Sequence, residues 1–90
     1  MNIEQAKQIP IADILYRLDS VPRRSRAHRL LYLSPVREEK TPSFWVDTHT
    51  NRWHDFGDGR GGDAVDLVCA YLQFCREAHT TADALRWLGN

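Results

Sequence analysis

Glu39-Lys40-Thr41-Pro42-Ser43-Phe44 runs into an alternating segment, and Trp53-His54-Asp55-Phe56-Gly57-Asp58-Gly59-Arg60-Gly61-Gly62 closes it. Between them, Ser43 to Asp47 places Phe44 and Val46 on one face and Trp45 on the other. Thr48 to Asn51 supplies a polar turn, and Arg52 to Phe56 reads as the returning strand of a hairpin. Gly57 to Gly62 holds four glycines in six residues. These glycines are expected to turn the chain from strand to helix through backbone positions with positive φ. Upstream, Ser34 to Pro42 is a charged loop between prolines, Arg29 to Leu33 reads as a strand, and residues 23–27 form a basic turn.

Outside the hairpin the period changes from two to 3.6. Ile11, Ile14, Leu15 and Leu18 make one apolar stripe, on a helix expected from about Pro10 to Asp19 with Pro22 beyond its end. Asp63, with Asp66 three residues later, forms a capping-box start for a helix over Ala64 to about Cys75. Thr80-Thr81-Ala82-Asp83 begins a last helix that turns Ala84, Leu85 and Leu88 inward and ends at Gly89. The expected fold class is α+β: a small antiparallel sheet flanked by about three helices, in one domain over residues 1–90.

Ninety residues lie near the smallest size at which a core suffices without a staple. A hydrophobic content of 42% with nine aromatics, three each of Trp, Tyr and Phe, argues against disorder. No apolar run approaches a membrane span, and the start at Met1-Asn2-Ile3-Glu4 is not that of a signal peptide, so the chain is read as cytoplasmic. Cys69 and Cys75, six apart and roughly 120° around one helix, cannot bridge within it and are read as packing residues. Net charge is zero, but residues 17–40 carry Arg17, Arg23, Arg24, Arg26, Arg29, Arg37 and Lys40 against three acids. That segment points to a local phosphate-facing surface.

The Glu-Lys-Thr-Pro-Ser-Phe segment, the aromatic-Gly stretch after it, and Gly61-Gly62-Asp63-Ala64-Val65-Asp66-Leu67-Val68 together resemble the CHC-type zinc-binding domain that opens bacterial DnaG-type primases. The likeness runs from about Ile9 to Leu88. It implies a zinc-ribbon-like primase N-terminal domain that contacts single-stranded template during primer synthesis in DNA replication. In that family a Cys-x2-His pair and a Cys-x2-Cys pair hold zinc; the aligned residues here are Ser34, Arg37, Asp55 and Asp58. Ligand-free variants resemble those of primase-like proteins from mobile elements and phages. The family's polymerising chemistry lies in a separate Toprim domain. No Asp-x-Asp pair with a companion Glu is present here, so this chain alone is not expected to be catalytic, although its parent would be a nucleotidyltransferase.

Zinc needs thiolate, imidazole or carboxylate donors, and arginine has no lone pair to give. No metal and no cofactor are therefore expected. Arg37 instead offers a planar fork of donors that matches the acceptors of Asp55 and Asp58, with Ser34 able to do either. The expectation is an ion-pair cluster that clips the loop before the hairpin to the loop after it, with less free energy than the roughly 10–16 kcal/mol of structural zinc. Gly57-x-Gly59-x-x-Gly62 imitates a dinucleotide fingerprint, but no second parallel strand follows the helix, and too little chain remains for one.

Single strands are bound by cations that track phosphates and aromatics that stack bases. The expected contacts are Arg23, Arg24, Arg26, Lys40, Arg52 and Arg60, with Trp45 and Trp53 as stacking platforms. His28, His49 and His79 read as surface residues, and His54 as a packing or hydrogen-bonding one. The chain is thus read as the DNA-binding module of a primase-like protein, expected to be the N-terminal piece of a longer one. Its partners would be single-stranded DNA and a Toprim catalytic domain or replicative helicase. The alternative is a protein-interaction module that kept the fold after losing DNA binding.

Overall fold

The computed structural model describes residues 1–90 as two layers, a five-stranded antiparallel sheet and a set of helices. The elements are α1 (Ile3–Lys7), α2 (Ile11–Arg17), β1 (Arg24–Arg26), β2 (Arg29–Tyr32), β3 (Phe44–Asp47), β4 (Arg52–Asp55), β5 (Gly61–Gly62), α3 (Ala64–Phe74) and α4 (Thr81–Gly89). The strands lie in chain order, each antiparallel to the next. No helix is long and apolar enough to cross a membrane.

The hairpin follows the sequence pattern. Asp47 pairs with Arg52 across the Thr48–Asn51 turn, and from there Val46 opposes Trp53, Trp45 opposes His54 and Phe44 opposes Asp55. Phe44, Val46, Trp53 and Asp55 are buried, while Trp45 is half-buried and His54 exposed. One-sided burial is what fixes register here, since a slip of one residue would send the whole apolar set to water. Tyr32 and Val36 join this inner face, against Ile11, Ile14 and Leu15 of α2, Leu67 and Val68 of α3, and Ala84 and Leu88 of α4. Phe44 stacks on Trp53 at 5.2 Å between ring centroids, and Tyr32 meets Phe44 edge-on.

Both expected capping boxes form, Asp63 with Asp66 on α3 and Thr80 with Asp83 on α4. Pro10 sits one place earlier than expected, as the N-cap of α2 with extended backbone, and the helix ends by Arg17 because Asp19 takes a left-handed φ of 59°. Three elements and two smaller features depart from the reading. The basic turn at 23–27 contains a strand, β1, because Ala27 adopts φ 53° and folds Arg26 back onto Arg29. Gly61–Gly62 is an edge strand, and α1 is a fourth, short helix held by an Asn2–Gln5 capping box. Of the connector glycines only Gly59, at φ 82°, uses left-handed backbone. Finally, Cys69 packs partly beneath the 80s but Cys75 is exposed at the end of α3, so only the first is a packing residue.

Candidate nucleic-acid interface and the polar clip behind it

The ladder register sorts the outward side chains of the sheet into two rows, because residues directly opposite on antiparallel strands share a face. Arg24, Leu31, Trp45, His54 and Gly61 form one row across all five strands. Arg26, Arg29, Asp47 and Arg52 form the next. Arg24, Arg26, Arg29 and Arg52 are all exposed, and none makes an ion pair. The Phe56 ring, 68% exposed, lies edge-on against His54 at 4.3 Å. Between them is a groove of about 640 Å³ walled by Arg26, Arg29, Trp45, Arg52, His54 and Phe56.

The structure thus brings together Arg24, Arg26, Arg52 and Trp45 from the expected contact set, and adds Arg29, His54 and Phe56 to it. Arg23 and Lys40 are exposed but lie outside the two rows, before β1 and in the loop before β3. Trp53 is not available to a base: it is 4% exposed on the opposite face, and its Nε1–H donates to the Asp63 carbonyl at 2.9 Å. Arg60 is not a free loop-tip cation either. Its Nε donates to Asp58 at 2.8 Å, and its Nη2 reaches the Val36 carbonyl at 3.4 Å. The sequence offers Arg29 only as one member of the basic segment; its place opposite Asp47 comes from the β2–β3 register, which residues 33–43 leave unspecified.

At the sheet's inner corner, Arg37 reaches Asp55 with two parallel bonds, Nε to Oδ2 at 3.1 Å and Nη2 to Oδ1 at 2.9 Å. Asp55 is completely buried and Arg37 half-buried. The Arg37 Nη2 also donates to Glu39 Oε1 at 2.6 Å and to Ser43 Oγ at 2.7 Å. Glu39 in turn accepts from the Ser43 hydroxyl and the Ser34 amide, each at 2.6 Å. Burial alone would push the Asp55 carboxyl up; hydrogen bonds, first from Arg37 and also from the Gly57 amide, outweigh it and hold the group below the usual carboxylate range.

Of the expected cluster of Ser34, Arg37, Asp55 and Asp58, the structure joins Arg37 to Asp55, and Ser34 enters through its backbone amide on Glu39. Asp58 lies 3.9 Å from the Arg37 Nε, but its hydrogen bonds go to Arg60. Glu39 and Ser43 take the place assigned to it. Gly57 belongs to the same arrangement, because a Cβ there would overlap the Arg37 guanidinium. This donor set does not fit zinc: a cation occupies the centre, and no three His, Cys, Asp or Glu side chains converge.

The family described as CHC2 zinc finger matches residues 2–86. A DNA primase of Lactococcus lactis is 35% identical over 66 residues, covering 73% of this chain and 10% of the relative. One from Mycolicibacterium smegmatis is 45% identical over 63 residues, covering 68% and 10%. The chain thus spans about a tenth of the length of these relatives. In the crystal structure of the Aquifex aeolicus primase zinc-binding and RNA polymerase domains, a region aligns with 96% of this chain and 20% of that one, at a TM-score of 0.73 and 24% identity. That likeness is one of fold.

Proposed function

The chain belongs to the CHC2 zinc-finger family, and from that premise we propose that it is the DNA-binding module of a primase-like protein, recognising single-stranded template for primer synthesis. The observation that carries this reading is the outer sheet face, where four arginines without ion-pair partners surround Trp45, Phe56 and His54. Arginine pairs with phosphate through a preformed fork, and aromatic faces accept any base. Arg23 and Lys40 extend the positive field toward β1 and the loop before β3. The stretch shared with the DNA primase relatives is only about a tenth of their length, so primer synthesis itself is assigned to a Toprim catalytic domain or other partner.

The same reading gives the Arg37–Asp55–Glu39 cluster the task that zinc has in the family. It ties the loop after β2 to the end of β4, as a coordinated ion would, but through charge-assisted hydrogen bonds. Titrating the 90-residue chain into a labelled single-stranded oligonucleotide tests the reading. Saturable binding whose log affinity falls steeply and linearly with log salt is expected, because each phosphate contact releases counterions. Absence of any salt-dependent binding would sink it in favour of a protein-interaction module.

A further inference from the structure

Resting on that reading, we propose that the outer sheet face takes an unpaired strand laid across the β-strands at right angles, bases on one row of side chains and phosphates on the next. Side chains two residues apart along a strand stand about 6.8 Å apart on one face, and neighbouring strands are about 4.8 Å apart. The two rows are therefore parallel tracks crossing β2, β3 and β4, each spanning about 10 Å between the outer strands. They differ in chemistry. Leu31, Trp45 and His54, with Phe56 against His54, offer apolar and π surface, and the one cation of that row, Arg24, stands at its β1 end. Arg26, Arg29 and Arg52 offer guanidinium forks.

Asp47 interrupts the cationic track between Arg29 and Arg52. Its Oδ1 accepts the His49 and Thr50 amides at 2.9 and 3.1 Å, and its Oδ2 faces His28 Nε2 at 3.4 Å. These turn contacts keep it anionic, so a phosphate is turned away from the middle of the track and drawn to either side. Two phosphates, one on Arg26 and Arg29 and one on Arg52, then flank bases on Trp45 and on the His54–Phe56 pair. Beyond His54 the stacking row ends at Gly61, which has no side chain to continue it. The footprint is about two to three nucleotides. A duplex keeps its bases stacked inside and meets the cationic track alone, so the ligand class is single strands.

The test measures binding of oligodeoxythymidylates of increasing length, and of a duplex, by Trp45 fluorescence in a chain carrying Trp53→Phe and Trp87→Phe, with anisotropy of labelled oligonucleotide on the unaltered chain as a binding measurement that does not depend on those substitutions. Affinity should climb up to about three nucleotides and then only statistically, and duplex should bind at least about tenfold more weakly. Arg29→Gln and Arg52→Gln should each reduce the log–log salt slope by about 0.7–1 while leaving the Trp45 quench intact. Trp45→Ala should cost about tenfold in affinity at every salt concentration without changing the slope, and Trp45→Phe should restore most of it. Slopes that respond to Arg23→Gln or Lys40→Gln instead, or equal affinity for duplex, would overturn the two-track arrangement and leave the single-strand reading standing. A chain that binds no oligonucleotide brings down both.

Discussion

At the scale of single residues, two side chains bear more than their share of the fold. Arg37 compensates the one fully buried carboxylate, Asp55. Replacing Arg37 with Met keeps the length of the side chain but removes the fork. Asp55 is then left buried without a counter-charge, and stranding a buried carboxylate costs on the order of 3–5 kcal/mol. Urea unfolding should show that loss, and adding Asp55→Asn should recover part of it because the stranded charge is gone. Asn51 is the second. It adopts φ 53°, its Oδ1 accepts from the Ile11 amide at 2.9 Å, and its Nδ2 donates to the Lys7 and Ile9 carbonyls. It thereby supplies from the β3–β4 turn the N-terminal cap that Pro10 cannot give α2. Asn51→Ala should cost about 2–3 kcal/mol through left-handed strain and a lost cap, and Asn51→Gly less, since glycine keeps the backbone. Equal losses would mean the strain contributes nothing. From the sequence Arg37 and Asp55 stood out by substituting for ligands, whereas Asn51 looked like one turn residue among several. Its partners lie 40 or more positions away, and no local signal reports that.

At the scale of elements, legibility tracked how local the cause was. The two capping boxes and the β3–β4 hairpin are written in spacings of two to four residues, and all were readable. β1 and β5 were not, because two or three residues such as Arg24–Arg26 or Gly61–Gly62 become strands only when a neighbouring strand is already there to pair with. The glycine-rich connector misled for a related reason. Gly57 is needed for room beside Arg37 and Gly62 for room beside the Asp66 cap, and neither need appears in a turn rule. The caps also give α4 and the hairpin turn a pH dependence. Hydrogen bonds from the Thr80 hydroxyl and amide hold Asp83 below the usual carboxylate range, and the Thr50 amide does the same for Asp47. A carboxylate whose folded value is depressed adds stability above its unfolded value, near 3.8. That stability is lost as pH falls through the folded value. Asp83→Ala should therefore melt earlier than the parent at neutral pH, and the two melting curves should draw together only as pH falls below the unfolded value near 3.8 and on through the lower folded value. A gap that persists at low pH would assign the effect to helix propensity instead.

At the scale of the whole molecule, the question is how ninety residues hold together when their family uses an ion. The chain answers with a single continuous core reaching all four helices and the inner sheet face, and with the polar clip at one corner. Neither part depends on a thiolate or an imidazole, so prolonged incubation with a strong chelator should leave the melting temperature and oligonucleotide affinity unchanged. The sharper experiment restores the family's donors. Ser34→Cys, Arg37→His, Asp55→Cys and Asp58→Cys together recreate Cys-x2-His and Cys-x2-Cys on the two segments that the Arg37 side chain now bridges, reaching Asp55 at 2.9 Å and Asp58 at 3.9 Å. The fourfold variant loses the clip, so without metal it should be less stable than the parent. With zinc it should gain what a coordinated ion supplies, up to about 10–16 kcal/mol in small zinc domains, less the strain of fitting new side chains. Cobalt in place of zinc would give the absorption of a tetrahedral thiolate site, reporting coordination independently of stability. A variant that neither binds cobalt nor depends on zinc would show that the loops have moved apart from the family geometry, and that the guanidinium holds a different corner from the one the ion holds in its relatives.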